Sequence, residues 1–161
     1  MQLRVARPAD AEPILDIYNE AVLRSTATFD LVPRTEDEQA RWMAEHRGPH
    51  PAIVATVDAT TVGFAALSPY RDKHAYATTV ENSVYVHVDH RGQGIGRALL
   101  EELVRLAGRH GFHSIIARIG ENNTASMGLH TACGFELVGV EREVGRKFNR
   151  WLDVSVLQRL V

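Results

Sequence analysis

The stretch His90-Arg91-Gly92-Gln93-Gly94-Ile95-Gly96-Arg97 sets three glycines between two segments of different period. Upstream, Ser83-Val84-Tyr85-Val86-His87-Val88 alternates as a strand does; downstream, Ile95, Ala98, Leu99, Leu103, Leu106 and Ala107 recur at helical spacing. A glycine loop therefore joins a strand to the start of a helix. The first backbone N–H groups of a helix lack internal acceptors and point outward at the positive end of its dipole, so such a loop suits an anion, a phosphate above all. Glycine removes the Cβ atoms that would hold the phosphate away. An ordinary turn loop also carries glycines, so the rest of the chain has to decide.

At 161 residues, 45% hydrophobic and 24% charged, the chain fits one domain spanning 1–161 with a sizeable core. A formal charge of -2 argues against nucleic acid as the main partner and leaves small-molecule chemistry as the default. No apolar run is long enough for a membrane span, and Met1 to Val5 lacks the apolar core of a signal peptide. A soluble, cytoplasmic protein with no membrane partner is the expectation. The single cysteine, Cys133, excludes an intramolecular disulfide and a cysteine-rich zinc site. No catalytic metal is expected.

Gln2 to Ala6 reads as a strand. Asp10 is a candidate cap for a helix whose apolar face is Ile14, Ile17, Tyr18, Ala21 and Val22. Thr35 with Glu38 forms a capping box for a second helix carrying Trp42 and Met43. Ala52 to Val57 and Val62 to Leu67 read as strands joined through Asp58-Ala59-Thr60-Thr61. After the strand ending near Val88, the loop and a helix closing at His110 with Gly111 as C-cap candidate, Ser114 to Ile119 is another strand. Asn122 or Asn123 starts a last helix that stops at Gly134, and Phe135 to Val144 and Trp151 to Leu157 are the final strands. The order is mixed α/β, hairpin-rich at first, with one strand-helix-strand crossover.

Two nucleotide-binding readings fail. A dinucleotide fold requires G-x-G-x-x-G and an acidic residue about 20 positions later, where His113 and Ser114 stand. A P-loop requires Lys-Ser/Thr after its last glycine, whereas Gly96 precedes Arg97-Ala98. Arg91-x-x-Gly94-x-Gly96, at a strand end and helix start, instead resembles the acetyl-CoA signature of the GNAT superfamily of N-acetyltransferases. The segments Thr79 to Leu100 (TVENSVYVHVDHRGQGIGRALL), Asn123 to Phe135 (NTASMGLHTACGF) and Lys147 to Gln158 (KFNRWLDVSVLQ) are similar to the phosphinothricin and methionine sulfoximine acetyltransferase group. The resemblance implies an α/β (α+β) fold, a mixed, mostly antiparallel twisted sheet of about seven strands flanked by about four helices.

It also implies roles for residues. The backbone of Gly92, Gln93, Gly94, Ile95, Gly96 and Arg97 would hold the pyrophosphate of coenzyme A, with Arg91 and Arg97 adding charge-assisted contacts. Val84, Tyr85 and Val86 would hold the acetyl and pantetheine portion through their backbone, with their side chains serving as core. Asn123 matches a cofactor-binding asparagine and is equally suited to cap the last helix. Glu81, in the Thr-Val-Glu motif, is the candidate base that takes a proton from the incoming amine. His130 is the candidate donor to the departing thiolate, the alternative being a histidine simply hydrogen-bonded at a helix surface. Cys133, just before Gly134, reads as a buried structural thiol, so transfer is expected to be direct within a ternary complex.

For the acceptor, Arg71 aligns with a position that meets an amino-acid carboxylate, which a guanidinium can bind through two parallel N–H bonds. Asp72, Lys73, Glu81, Asn82 and Ser83 complete the expected substrate contacts, and Phe29 and Tyr76 are candidate walls. Acetyl-CoA is the implied cosubstrate, a small amine the implied acceptor, and a homodimer the implied assembly. The leading reading is an enzyme acetylating the α-amino group of a small amino-acid-like substrate. Alternatives are acetylation of protein N-termini or other amines, and a coenzyme-A-binding regulatory module without turnover.

Overall fold

The computed structural model describes residues 1–121 and 123–161, so Asn122, one of the two candidate starts of the last helix, lies outside the described residues. The elements run β1 (Gln2–Val5), α1 (Ala11–Arg24), α2 (Glu36–Glu45), β2 (Ala52–Val57), β3 (Thr60–Pro69), β4 (Thr79–Val86), α3 (Ile95–Arg109), β5 (Ser114–Gly120), α4 (Thr124–Ala132), β6 (Glu136–Lys147) and β7 (Arg150–Leu160). The seven strands form one sheet in the order β1-β2-β3-β4-β5-β7-β6. Every neighbouring pair is antiparallel except β4 and β5, which α3 connects as a crossover. This is the mixed, mostly antiparallel architecture expected.

Helices cover both faces, which is why β2 and β3 read as nearly continuous buried runs. On one face Leu99, Leu100, Leu103 and Ala107 of α3 pack against Ile53, Ala65, Leu67 and Ile115. On the other, Ile14, Ile17, Tyr18 and Val22 of α1 pack against Val54 and Phe64, with Trp42 and Met43 of α2 at the margin. Gly63 permits the close approach of α3, since a Cβ there would meet the Tyr85 carbonyl oxygen at 3.0 Å and Leu99 at 3.2 Å.

The capping box of α2 forms as expected: Thr35 accepts from the Glu38 N–H while Glu38 accepts from the Thr35 N–H. Asp10 does not cap α1. Its buried carboxylate instead accepts from Arg4 at 2.6 and 2.9 Å, from the Arg7 N–H at 2.7 Å and from Thr61 at 3.0 Å, locking β1 and β3 to the helix entry. Burial acts to raise its pKa, but these donors outweigh it and hold the carboxyl below the usual range.

Three connections differ from the sequence reading. The β2–β3 turn is only Asp58-Ala59, both at positive φ (48° and 65°), so β3 starts at Thr60. The same geometry at Phe148 and Asn149 (50° and 59°) lets β6 and β7 pair up to Lys147↔Arg150, extending both strands. And β4 ends at Val86, because Val88–His90 forms a 3-10 turn in which the His87 ring accepts from the Asp89 N–H.

Candidate active site

The two parallel strands share three rungs, Thr79↔Ser114, Val80↔Ile115 and Glu81↔Ile116, and then separate. Beyond the last rung β4 stays paired with β3, as far as Gly63↔Val86, and β5 stays paired with β7. The edges that face each other are thereby freed. Between them opens a cleft of about 870 Å³ with Ser83 to Val86 on one wall and Ala117 to Glu121 on the other. Strands that diverge cannot satisfy each other's backbone, and a ligand that enters finds a row of amide groups on β4.

At the cleft mouth lies the glycine loop. Among the described residues, no backbone N–H from Gly92 through Arg97 finds an acceptor; the first that does is Ala98, which donates to the Gly94 carbonyl at 3.0 Å. Gly92 and Gly94 sit at φ +74° and +81°, a conformation that L side chains rarely adopt. The loop thus presents consecutive donors at a helix N-terminus, which fits a diphosphate. Gly92, Gly94, Ile95, Gly96, Arg91 and Arg97 all line the cleft, whereas Gln93 turns back to donate to the Asp89 carbonyl at 3.3 Å. Arg91 braces the loop, donating to the Val86 carbonyl at 3.1 Å and to Glu20 at 3.3 Å, and Arg97 pairs with Glu101 at 2.7 Å.

The alternation of β4 divides its side chains between the two faces. Val80, Val84 and Val86 join the α3 side of the core, and Asn82 shares that parity; Glu81, Ser83 and Tyr85 face the α1 side, where Tyr85 stacks on Phe64 at 5.2 Å and meets Tyr18 edge-on at 5.4 Å. Burial raises the Glu81 carboxyl above its usual range; Arg118 opposes this and Glu141 adds to it. A carboxylate so placed holds a proton more tightly than a free one, which suits a general base. Burial holds the Tyr85 phenol well above its usual value.

His130 and Asn82 are not free side chains. The ring Nδ1 lies 2.8 Å from the Ser126 carbonyl oxygen and Nε2 lies 3.0 Å from Asn82 Oδ1, while Asn82 Nδ2 donates to the Ile116 carbonyl at 3.3 Å. Asn82, expected among the substrate contacts, lines the cleft and is 8% exposed, with both ends of its amide hydrogen-bonded to the protein. Burial pushes the His130 imidazole down, opposed by its bond to Ser126. Asn123 both lines the cleft and caps α4, accepting from the Ser126 N–H at 3.1 Å. Cys133 is buried in the core, and burial pushes its thiol up.

Arg71, Asp72 and Lys73 follow β3 and none lines this cleft. The Arg71 guanidinium stacks over Tyr70 and Tyr76, 4.8 and 5.5 Å from their ring centroids, and Tyr76 does not line the cleft either. Phe29 does line it, resting on Gly120 and Gly145: a Cβ on Gly120 would stand 2.8 Å from the ring, and one on Gly145 would collide with it. Two further features have no local sequence signal. Arg118, on the cleft wall, makes a bidentate pair with Glu141 at 2.6 and 3.3 Å, across β7. Lys147, 4% exposed, donates to the Thr28 carbonyl at 2.8 Å and ties the end of β6 to the segment that carries Phe29.

Residues 3–156 match the family described as an acetyltransferase (GNAT) domain. The chain belongs to the GNAT acetyltransferase family. It is 40% identical to an L-methionine sulfoximine/L-methionine sulfone acetyltransferase of Pseudomonas paraeruginosa over 97% of this chain and 92% of that protein. A GNAT phosphinothricin acetyltransferase from Sinorhizobium meliloti, solved with acetyl-CoA, superposes with a TM-score of 0.96 at 40% identity, covering 99% of this chain and 88% of that one. A ribosomal-protein-alanine N-acetyltransferase from Brucella melitensis superposes with a TM-score of 0.97 at 36% identity, over 100% of both chains. This GNAT chain is thus an N-acetyltransferase, and acetyl-CoA is its cosubstrate.

Proposed function

We propose that this GNAT enzyme acetylates the α-amino group of a small amino-acid-like acceptor, of the phosphinothricin or methionine sulfoximine/sulfone type, by direct attack in a ternary complex. The observation that carries the reading is the fork after Glu81↔Ile116, which sets a carboxylate of raised pKa at the closed end of a cleft whose mouth is a row of unpaired N–H groups. The backbone of Gly92 to Arg97, with Arg91 and Arg97, holds the pyrophosphate; the freed β4 edge at Val84, Tyr85 and Val86 orients the pantetheine arm and offers an N–H to the developing oxyanion. Asn123 contacts the cofactor from the cap of α4. Glu81 takes one proton from the ammonium, the amine nitrogen forms the new bond to the acetyl carbon as the C–S bond breaks, the nitrogen's second surplus proton leaves to water, and protonated His130 gives a proton to the thiolate and returns to the neutral ring. The burial of Cys133 supports the absence of an acetyl-cysteine step.

Arg71, with Asp72 and Lys73 beside it and Ser83 on the cleft wall, recognises the acceptor carboxylate. Its position outside its own cleft is compatible with a site completed by a second copy in a cytoplasmic homodimer. The apolar residues exposed on the β6–β7 hairpin support such a dimer: Val138 is 63%, Trp151 61% and Phe148 51% exposed. A panel of amines, read by release of coenzyme A, tests the acceptor class. Arg71→Ala should raise KM for an amino acid and spare the analogue whose carboxylate is an amide, since uniform binding is what is lost. Equal losses on both would reject carboxylate recognition by Arg71.

A further inference from the structure

Beneath the fork of β4 and β5, His130 faces acceptors on both ring nitrogens. Nδ1 stands 2.8 Å from the Ser126 carbonyl oxygen, and Nε2 stands 3.0 Å from Asn82 Oδ1. The orientation of the Asn82 amide is set from its other end, where Nδ2 donates to Ile116 O at 3.3 Å, on the last residue that β5 pairs with β4. Turning the amide over would give Nε2 a donor but would press Oδ1 against the Ile116 carbonyl, two acceptors with no proton between them. A neutral imidazole carries one N–H, so it can serve Ser126 or Asn82 but not both. Among the described residues, the Ser126 hydroxyl, 3.4 Å from Nδ1, is the only local group able to donate to the ring in the observed arrangement. In an environment that is 4% exposed at His130 and 8% at Asn82, water cannot make up the difference cheaply.

We propose that Asn82 is a positioning residue for acetyl transfer: anchored on the Ile116 carbonyl, it offers Oδ1 to His130 Nε2 and keeps a proton on that nitrogen at the cleft wall. The proposal rests on the reading of His130 as the donor to the leaving thiolate. Asn82 acts through His130, to whose Nε2 its Oδ1 is directed.

The groups around the ring leave Asn82 in control of that proton. Ser126 approaches from α4 itself, Asn82 from β4, and Phe135 stands edge-on with ring centroids 5.1 Å apart. The titratable neighbour is Cys133, whose N–H donates to the His130 carbonyl; Glu101, Arg97 and Arg159 act on that thiol, and no charged group among the described residues shifts the His130 ring. Burial alone works to strip the ring of its second proton, opposed by the Ser126 carbonyl, and the Asn82 oxygen is the remaining acceptor that holds it.

The test is nitrogen-15 NMR of the histidine-labelled, ligand-free chain, with the His130 signal assigned by its loss in His130→Gln, followed between about pH 5 and 8. Wild type should carry a proton on Nε2 on the acid side of its own midpoint. Asn82→Leu should leave only the Nδ1–H tautomer and lower the midpoint. Asn82→Asp, of the same size, should keep the Nε2 proton and raise the midpoint, and it retains the test if the leucine variant fails to fold. A wild-type Nε2 that is bare throughout, or a ring unchanged in both variants, overturns the proposal. Turnover separates this result from the reading beneath it. His130→Gln and Asn82→Leu should both lower kcat, by roughly 10²-fold or more for the former, with KM for acetyl-CoA little changed. An undiminished His130→Gln sinks the donor role and the proposal with it. A crippled His130→Gln beside a fully active Asn82→Leu sinks only the proposal.

Discussion

Glu81 and Ile116 form the last rung shared by β4 and β5, and the cleft begins at the next residue of each strand. A carboxylate at the apex of this wedge is shielded by strands on both sides yet faces the open space between them. Its proton affinity is therefore raised without the residue being sealed away from a ligand.

The acid limb of kcat/KM should accordingly lie above the ordinary glutamate range of about 4.3. The base form of Glu81 appears as pH rises through the raised pKa, so activity falls on the acid side of that value. Removing the opposing cation in Arg118→Ala should move the limb higher, and Glu141→Gln should move it lower. Glu81→Gln should reduce kcat roughly 10²- to 10⁴-fold, with partial recovery at high pH where the amine arrives neutral. A pH-rate profile unchanged in Glu81→Gln would remove this residue from the chemistry. The same shift costs stability: the folded state holds the proton more tightly than the unfolded chain, so stability declines as pH rises from the ordinary to the raised value.

Gly94→Ala has room for its methyl group but places an L residue at φ +81° in the row of unpaired donors. The left-handed backbone costs about 1–2 kcal/mol, and relaxation of the loop away from it should turn the N–H groups off the diphosphate. Calorimetry should find acetyl-CoA binding weakened at least about tenfold, and binding to the wild type weakened by added salt. Unaltered affinity in a variant with lowered Tm would show that the loop conformation is not what binds the cosubstrate.

Cys133→Ala should retain most turnover and lose roughly 1 kcal/mol of stability. The thiol is 4% exposed and its pKa is pushed up by burial, so little thiolate is present to accept an acetyl group. Recovery of a kinetically competent acetyl-Cys133 species by mass spectrometry would overturn direct transfer.

Gly145→Ala should displace the Phe29 ring, lowering stability by roughly 1–3 kcal/mol and altering KM for the acceptor more than for acetyl-CoA. Made in a Phe29→Ala background, the same substitution should cost little, because the colliding partner is gone. Denaturant titration of the four chains measures the coupling, and additive costs would exclude the contact.

Much of this was legible in the sequence, and it was legible where physics is local. The row of donors at Gly92 to Arg97 follows from a strand, glycines and a helical period in succession. The Thr35–Glu38 box and the buried face of α1 follow from spacing within a few turns. Boundaries set by positive-φ turns at Ala59 and Asn149 were misread because neither residue is a glycine, and Asp10 was misread as a cap because its partners Arg4 and Thr61 come from two strands.

By itself the sequence determined the element order, the glycine loop between strand and helix, the candidate base and the family to which the chain belongs. Only the tertiary structure decided that Asn82 on the cleft wall bonds to His130, that Arg71 stands outside the cleft and stacks on Tyr70 and Tyr76, and that Arg118 meets Glu141 across β7. The parity of β4 separates Glu81 from Asn82 in the sequence already, but which helix covers each face depends on how the chain crosses over. The strand order β5-β7-β6 likewise brings Arg118 and Glu141 together from 23 residues apart in the chain. Backbone conformation and helix termini respond to neighbours a few residues away, whereas contacts between side chains distant in sequence are set by the packing of the whole sheet, which no short window contains.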